Sequence, residues 1–285
     1  MTEKIEIEVK NENDSIIAEG DDVILYLDHR RTYLVKAKAG RDFHTHRGYI
    51  KLGDLIGKNF GDKIESSTGT SFIILKPSLR DFALKFPRLT QIMYPKDIGL
   101  ILAYTGIGPG WRVVEGGVGS GVLTAFLANS VRPSGRVYGY EVNERFLQNA
   151  RKNLERVGLM DYVELKLRDI GQGIVERDVD LVVLDLATPW LFIENVWEAL
   201  KPSGYFVSFS PTINQVEKTV EALRQGSFID IEAIECILRN FKVKMGETRP
   251  ETIMVGHTGY LVFARRISKD ISSYAAKAEE KIREE

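Results

Sequence analysis

The stretch Trp111-Arg-Val-Val-Glu-Gly-Gly-Val-Gly-Ser-Gly-Val122 decides the fold. Its first part is apolar and β-branched, which predicts a buried strand that ends near Glu115. Four of the next six residues are glycines, and an apolar helix is predicted from Val122 to Ala128. Glycine is used where the backbone must bend tightly or approach a ligand without a Cβ. A glycine turn between a strand and a helix typically holds a nucleotide-like ligand, and the alternative is a turn that binds nothing.

The spacing of these glycines separates two kinds of nucleotide site. A dinucleotide-binding fingerprint requires Gly-x-Gly-x-x-Gly. Counting from Gly117 puts the third glycine on Val122, and counting from Gly116 puts the second on Val118, so neither register fits. The actual pattern, Glu115-x-Gly-x-Gly-x-Gly, resembles motif I of the Rossmann-like S-adenosylmethionine (SAM) methyltransferases. The resemblance implies that the loop covers the sulfonium and the amino acid tail of SAM, with cofactor contacts from Gly117, Gly119, Ser120, Gly121, Val122 and Leu123.

Composition and charge limit the classes of protein that this chain can be. It has 285 residues, of which 44% are hydrophobic and 28% are charged, as in a soluble protein of one large or two modest domains. The net charge of −1 means that any nucleic-acid surface must be a local patch. The chain lacks an apolar run of the roughly 18 residues that a membrane span needs, so we expect no membrane association. Cys236 is the one cysteine, which excludes an internal disulfide framework and favours a cytoplasmic protein.

Residues 1–75 predict a small N-terminal β domain. Short apolar or β-branched runs alternate there with glycine and charged turns, which is typical of a small barrel or sandwich. The predicted strands are residues 23–27, 32–35, 49–50 and 71–75.

The segment from Arg30 to Lys51 is basic, with seven Lys or Arg residues against one acid, Asp42. It is interpreted either as a solvated face or as a phosphate-contacting patch that includes Arg41 and Arg47. His44 and His46 occupy alternate positions and would share one face of a strand. Because the segment has no cysteine and no evident third ligand, the sequence predicts no metal site.

The rest of the chain predicts an α/β fold. Residues 76–110 form a connecting segment, with a helix from Ile98 to Tyr104 that starts near Pro95. Residues 111–266 alternate strands and helices, which predicts a mostly parallel seven-stranded sheet of the Rossmann-like type. The predicted strands are 112–115, 136–140, 162–167, 179–184, 205–209, 229–239 and 259–264, and the predicted helices are 143–157, 192–200 and 215–224. Residues 267–285 predict a charged helical or frayed tail.

Acidic residues end four of the predicted strands: Glu115, Glu141, Asp169 and Asp185. Ligands of open parallel sheets bind beyond the carboxyl ends of the strands, so we expect these acids to line a site. Glu141 can accept hydrogen bonds from two ribose hydroxyls, and Asp169, with the main chain of Ile170, can accept one from an adenine amino group. Glu115 would orient the methionine part or hold the turn. Any single acid here can instead be a helix N-cap.

Five further motifs occur in an order that resembles the tRNA adenine-N1 methyltransferases of the TrmI family. They are Gln91-Ile-Met-Tyr-Pro-Lys-Asp97, residues 119–124, Asp185-Leu186 with Pro189-Trp190, Ser210-Pro-Thr212 with Gln215-Val216, and Arg249-Pro250 with Gly256-His-Thr-Gly-Tyr260. The resemblance spans roughly residues 20 to 266. It implies SAM as cofactor, the TΨC loop of tRNA as substrate, and usually a homotetramer. Archaeal members often modify adenines 57 and 58, and others modify only 58.

The resemblance also implies roles for single residues. Asp185 would stabilise the adenine ring as it becomes cationic, from a place beside the cofactor. Tyr94 would stack on or orient the base, and its alternative is an ordinary packed aromatic. Gln91 would lie on the cofactor side. The far wall of the substrate site would include Pro189, Arg249 and His257.

Three competing functions differ in the features that favour them. Adenine-N6 methyltransferases have adjacent prolines after the acid, whereas Leu-Ala-Thr separates Asp185 from Pro189 here, which argues against N6 chemistry. A methyltransferase for a protein or small molecule is compatible with the glycine loop and Glu141, but the basic segment and residues 94–97 favour RNA. A non-catalytic RNA-binding subunit is the third hypothesis, and the intact glycines, Glu141 and Asp185 argue against it. Within folded RNA the target adenosine would have to flip out.

Overall fold

The computed structural model describes residues 15–87 and 89–269, and the chain divides between Lys85 and Phe86 into two compact units. The polar stretch through Asp14 and most of the predicted tail, from residue 270 onward, lie outside the described residues. Within those described ranges, no helix is long and apolar enough to cross a membrane.

The first unit is a small β structure followed by one helix. Its elements are β1 (Asp22–Asp28), β2 (Arg31–Lys36), β3 (Asp42–Thr45), β4 (Gly48–Lys51), β5 (Lys63–Glu65), β6 (Ser71–Leu75) and α1 (Leu79–Lys85). Four strands form an antiparallel sheet in the order β2-β1-β6-β5, and β3 pairs with β4 in a separate hairpin. Apolar side chains such as Leu25, Phe72 and Ile74 are fully buried in its core.

The β3–β4 hairpin has one buried and one exposed face. Phe43 pairs with Ile50 toward the core, whereas His44 pairs with Tyr49 on the outside, because successive side chains of a strand point to opposite faces. β3 ends at Thr45, so His46 lies in the turn and not on the strand face with His44. In the part of the chain that the structure describes, no group of three His, Cys, Asp or Glu residues is placed to hold a metal ion.

The second unit is a seven-stranded α/β domain. Its helices and strands are, in chain order, α2 (Pro95–Thr105), β7 (Arg112–Gly116), α3 (Val122–Val131), β8 (Arg136–Glu141), α4 (Glu144–Arg156), β9 (Val163–Leu167), β10 (Val179–Leu184), α5 (Ile193–Ala199), β11 (Leu200–Ser210), α6 (Ile213–Gln225), β12 (Phe228–Glu235), β13 (Phe241–Lys242), β14 (Arg249–Pro250) and β15 (Tyr260–Arg266). The sheet order is β12-β15-β11-β10-β7-β8-β9, and β15 runs antiparallel to both neighbours. The predicted mostly parallel seven-stranded sheet is confirmed.

The sheet topology places the site. From β7 the chain moves to β8 and β9 on one side, and it then returns to β10 on the other side of β7. The strand order therefore reverses between β7 and β10, and a crevice opens outside the carboxyl ends of strands at such a switch point. The glycine loop after β7 and the acid after β10 face this crevice. Apolar side chains of α5 and α6 pack on one face of the sheet and hold the strands in place.

Candidate active site

The glycine loop, residues 117–121, is shaped by tight backbone turns and close packing. Gly117, Gly119 and Gly121 have φ angles of 89°, 55° and 76°, which favour glycine. A Cβ on Gly117 would overlap the carbonyl oxygen of Asp185, and one on Gly119 would lie 2.9 Å from Thr90 Oγ1. The absence of side chains therefore lets the loop lie directly against the backbone at Asp185.

Glu141 connects this loop to the start of α4. Its carboxylate is 8% exposed and accepts three backbone hydrogen bonds. Gly119 N donates to Oε2 at 3.0 Å, and the N–H groups of Val142 and Asn143 donate to Oε1 at 2.9 Å each. A carboxylate offers about four acceptor positions, so Oε2 keeps one for a ligand.

Asp169 is the N-cap of the short 3-10 turn Ile170–Gln172. Its Oδ1 accepts a hydrogen bond from Gly171 N at 2.8 Å. The side chain is exposed, whereas Ile170 is buried. One carboxylate oxygen of Asp169 therefore caps the turn, which is the alternative role that the sequence left open. The residue also lies at the predicted strand end.

Glu115 is a buried acid directly below the glycine loop. It is 1% exposed, and burial raises the pKa of its carboxyl to about 8, with smaller contributions from the charges of Asp185 and Glu141. It is therefore protonated at neutral pH. Hydrogen bonding from Thr124 acts in the opposite direction and lowers this pKa, but it does not offset the effect of burial.

Asp185 follows the last residue of β10. Its N–H donates to the carbonyl oxygen of Gly116 at 2.9 Å, which fixes the backbone at the strand end. Burial raises the pKa of the Asp185 carboxyl to about 6. Within residues 15–87 and 89–269 no cation or hydrogen-bond donor pairs with this carboxylate. It is therefore a mostly ionised group at neutral pH that is available to a cationic partner.

A cavity of about 520 Å³ joins these residues, a size typical of small-molecule sites. The predicted residues that line it are Gln91, Gly117, Gly119, Glu141, Asp169, Ile170 and Asp185. Residues that sequence reasoning missed also line it: Thr90, Tyr140, Val142, Phe146, Arg168, Leu186, Ala187, Thr188 and Phe192. Most of these residues are adjacent in sequence to a predicted site residue, and that adjacency could have identified them. Phe146 and Phe192 are not adjacent to a predicted residue, and nothing in the sequence indicated that they line the cavity.

The other predicted cofactor residues lie behind the cavity wall. Ser120 Oγ is 3.1 Å from Thr90 Oγ1, and the Ser120 carbonyl accepts a hydrogen bond from Asn153 at 2.9 Å. Gly121 packs against Ala150 of α4. The first turn of α3 buries two further predicted residues, Val122 and Leu123. With Glu115, these residues hold the loop in place and are not among the residues that line the cavity.

Three of the four predicted substrate residues of this unit lie at separate places. Tyr94 is the N-cap of α2 and is partly buried. Pro189 is buried at the start of the short 3-10 turn Pro189–Phe192. Arg249 is exposed on β14, opposite Lys242 of β13. None of the three is among the residues that line the cavity.

His257 is held between two acceptors. Its Nδ1 lies 2.7 Å from Glu235 Oε1, and its Nε2 lies 2.9 Å from the carbonyl oxygen of Pro211. The hydrogen bond to Glu235 raises the pKa of His257, and the one to Pro211 acts in the same direction. Because both partners are acceptors, the geometry suits a ring with a proton on each nitrogen. This arrangement therefore favours the positively charged form of His257.

A buried network around Lys96 was not foreseen from the sequence. Lys96 Nζ lies 2.7 Å from Asp97 Oδ1, 2.7 Å from the carbonyl oxygen of Cys236 and 2.6 Å from Thr258 Oγ1. Thr258 Oγ1 in turn donates to Asp97 Oδ2 at 2.8 Å. Residues 96 and 258 each belong to a motif on which the family resemblance rests. The motifs did not indicate that the two side chains are in contact.

Two solved structures that share the fold and more than 30% of the sequence are methyltransferases. A SAM-dependent O-methyltransferase from Thermotoga maritima is 39% identical with a TM-score of 0.88, over 91% of this chain and 97% of that chain. The tRNA (m1A58) methyltransferase TrmI from Aquifex aeolicus is 31% identical with a TM-score of 0.80, over 89% and 100%. The fold and the glycine-lined crevice therefore define a Rossmann-like, SAM-dependent methyltransferase.

Sequence comparison narrows this class to one family. Residues 71–249 match the model of the tRNA methyltransferase complex GCD14 subunit, and residues 16–62 match the TrmI-like N-terminal model. The tRNA (adenine(57)-N(1)/adenine(58)-N(1))-methyltransferase TrmI of Methanocaldococcus jannaschii is 37% identical over 268 residues, covering 85% of this chain and 94% of that protein. The tRNA (adenine(58)-N(1))-methyltransferase TrmI of Thermus thermophilus is 33% identical over 237 residues, covering 83% and 93%. The chain belongs to the GCD14/TrmI family of tRNA methyltransferases, as the sequence motifs predicted.

Proposed function

We propose that the protein transfers the methyl group of SAM to N1 of an adenosine in the TΨC loop of tRNA. The target is adenosine 58, and adenosine 57 is a second candidate because both positions are in the name of the Methanocaldococcus jannaschii relative. One observation carries the proposal. The unpaired carboxylate of Asp185 lines the same cavity as the glycine loop, so a fixed negative charge lies beside the place proposed for a methyl donor.

The residues of the cavity fit SAM as the cofactor. Gly117 and Gly119 leave the space that a Cβ would fill. Oε2 of Glu141 keeps an acceptor position for a ribose hydroxyl, and Asp169 with Ile170 would contact the adenine amino group. Glu115 is buried behind the loop and would act on the amino acid tail by holding the turn in place. When bound, SAM supplies a methyl group on a positively charged sulfur that departs as a neutral thioether.

Asp185 acts on the charge that develops during transfer. Transfer of the methyl group from SAM sulfur to adenine N1 would move the positive charge from the sulfur to the base. The ionised Asp185 stabilises that charge and can accept a proton from the N6 amino group. A fixed charge of this kind in a water-poor site is typically worth a factor of about 10² to 10³ in rate.

Substrate contacts are assigned to both units. In the second unit Tyr94 stacks on the flipped base, Pro189 borders it, and the cationic His257 and Arg249 face the RNA. A base that reacts at a ring atom must leave its stack, and aromatic side chains commonly receive it. We assign RNA contact to the N-terminal β domain (residues 1–75) and cofactor binding to the core (residues 111–266), joined by residues 76–110. A tRNA substrate implies a cytoplasmic reaction.

Exposed cations on the first unit supply phosphate contacts. Arg41 and Arg47 lie at the two ends of the β3–β4 hairpin region, and both side chains are exposed. Replacing both with Ala should weaken tRNA binding and reduce the slope of affinity against salt by about 1 to 2 counterions. Replacing Arg31, which is already paired with Asp28, is the matched control and should leave the slope unchanged. Equal salt slopes for the wild type, the double variant and the Arg31 variant would show that Arg41 and Arg47 are solvated residues that do not contact phosphates.

We also propose a homotetramer. The segment 237–255, called here the apolar arm, exposes large hydrophobic side chains. They are Ile237, Leu238, Phe241, Val243, Met245, Ile253, Met254 and Val255. Exposed large apolar side chains that are concentrated in one segment often mark an interaction site, so we assign these to contact with another copy of the chain.

The decisive experiment is mass spectrometry of tRNA nucleosides after incubation with the protein and SAM. We expect 1-methyladenosine, mapped to position 58 and, if both sites react, to 57. Alkaline treatment should convert it to N6-methyladenosine, whereas a 2′-O-methylated adenosine would be unchanged. The test matters because the name of the Thermotoga maritima structure gives methylation at oxygen. A transcript without the adenosine at 58 is the control, and equal methylation of both transcripts would contradict the proposed target.

A further inference from the structure

Three chain segments meet at the side chain of Lys96. The ammonium group uses its donors on a carboxylate, a hydroxyl and a backbone carbonyl, all at 2.6 to 2.7 Å. Thr258 accepts one of these bonds and donates another to Asp97. Asp97 is fully buried, and the Lys96 side chain is 10% exposed. The network thus joins the first turn of α2 to the end of β12 and to the segment before β15.

This network lies next to the proposed substrate wall. Tyr94 is the N-cap of the helix that carries Lys96 and Asp97, and His257 directly precedes Thr258. Gly259, the next residue, lies so close to the ring of Phe209 that a Cβ would overlap it. In the sheet register Ser208 of β11 lies beside Leu184 of β10, which puts the following residues, 209 and 185, on neighbouring strand ends.

We propose that Lys96, Asp97 and Thr258 form a clamp that positions Tyr94 and His257 against the target adenosine. The three are positioning residues, because they act through the two side chains that would touch the RNA. The inference rests on the proposed function and goes beyond it by assigning the substrate-side geometry to a buried network.

Two features argue that the network does more than stabilise the fold. A buried ion pair is weak evidence for stability, since desolvation of both charges offsets much of their attraction. A fully satisfied polar network instead selects one arrangement of the elements that it joins. Among the described residues that line the 520 Å³ cavity, none belongs to the clamp. Its loss should therefore affect the RNA step while the cofactor still binds.

Thr258→Val tests the clamp because valine keeps the shape and removes the hydroxyl. Lys96 then loses one acceptor, and Asp97 Oδ2 loses its donor. We expect kcat/KM for tRNA to fall about tenfold to a hundredfold, since small misplacements of substrate-positioning groups cost that much. SAM affinity measured by calorimetry should not change, and Thr258→Ser should restore turnover because it keeps the hydroxyl.

Thr105→Val is the matched control on the same helix. Thr105 is buried at the other end of α2, where its hydroxyl donates to the Ile101 carbonyl at 2.7 Å. This variant loses a buried hydroxyl without touching the clamp, so it should keep its kcat/KM for tRNA. The double variant Lys96→Met/Asp97→Asn removes both charges together. It should remain folded by thermal unfolding and still lose tRNA turnover.

The outcomes separate the clamp from the proposed function. If the wild type methylates tRNA and Thr258→Val is equally active, the clamp is overturned while the function stands. A parallel loss of SAM affinity in Thr258→Val, or an equal loss of activity in Thr105→Val, would reduce the network to a structural role and also overturn it. If the wild type transfers no methyl group to tRNA, the proposed function fails first, and the clamp loses its basis.

Discussion

The glycine loop and the apolar arm are both glycine-containing connections of the second unit, but they are built in opposite ways. Gly117 in the loop and Gly246 in the arm have similar φ angles, 89° and 76°. A Cβ on Gly117 would overlap the Asp185 backbone, whereas the described residues leave nothing within 4 Å of one on Gly246. Met245, beside it, is 100% exposed. Close contacts within this chain therefore fix the shape of the loop. The apolar side chains of the arm are exposed and are therefore available for contact with a partner.

The largest expected effect is on the carboxylate that borders the loop. Asp185→Ala should lower the rate of methyl transfer by about 10² to 10³, because it removes the charge that stabilises the cationic base. SAM affinity should change little. Glu247→Ala is the control in the arm, where an exposed carboxylate pairs with Lys244. Single-turnover rates for the two variants measure the contrast, and a fully active Asp185→Ala would show that this carboxylate is not catalytic.

Paired glycine substitutions come next. Gly117→Ala should abolish measurable SAM binding, because the loop must move away from Asp185 to admit the methyl group. Gly246→Ala should cost only the strain of a left-handed backbone, about 1–2 kcal/mol, and leave SAM affinity intact. Calorimetry with SAM and thermal unfolding of both variants test this. Equal affinities would mean that the loop is not the cofactor cradle.

Glu141→Ala should have a smaller effect on the same binding. It removes an acceptor for the ribose and also releases Gly119 N, which Oε2 holds at 3.0 Å. Hydrogen bonds to charged groups are worth roughly 1.5–3 kcal/mol, so the SAM dissociation constant should rise about tenfold or more. Glu144→Ala, at an exposed position three residues later, is the control. An unchanged dissociation constant in Glu141→Ala would remove the proposed ribose contact.

The pH dependence of the rate should report Asp185. Burial raises its pKa from 3.8 to about 6, and the ionised form is the active one. The rate should therefore be full above this value and fall about tenfold per pH unit below it, as expected for one essential base. Asp185→Asn should lose this limb and keep a low, flat rate. A limb centred near pH 4 in the wild type would contradict the buried, unpaired state of the carboxylate.

The smallest effect at the cavity is expected from changes in the arm. Phe241→Ser with Met245→Ser removes two exposed apolar side chains that are not among the described residues lining the cavity. The assembly should dissociate to smaller species, measured by light scattering, while SAM affinity stays the same. A wild-type protein that is already monomeric would contradict the proposed tetramer and leave the arm for a different partner.

Local sequence signals account for most of the sheet and for the acids around the cavity. Apolar runs such as Val179–Leu184 and the glycines after Gly116 are properties of neighbouring residues, so they could be interpreted directly. β5 could not be predicted, because Ile64 stands alone between Lys63 and Glu65. The start of β11 was also missed, since Lys201-Pro-Ser-Gly204 has the composition of a turn and still continues the strand.

Tertiary contacts explain what the sequence did not supply at the site. Lys96 and Thr258 are 162 residues apart and meet only because the sheet brings α2 and β15 together. Thr90 and Ser120 also meet through the fold, although 30 positions separate them in the sequence. Glu115 was placed correctly at the strand end, but its burial and its pKa of about 8 depend on the surrounding helices. Periodicity and spacing contain no information about such pairings.

The three main-chain hydrogen bonds to Glu141 have a consequence for how strongly a ligand binds at this site. They tie the turn after β7 and the residues just before α4 to a single side chain through contacts within the chain itself. A ligand thus binds to a preorganised surface, because the entropy of ordering those two segments was already lost when the domain folded. Most of the contact energy is then left to appear as affinity.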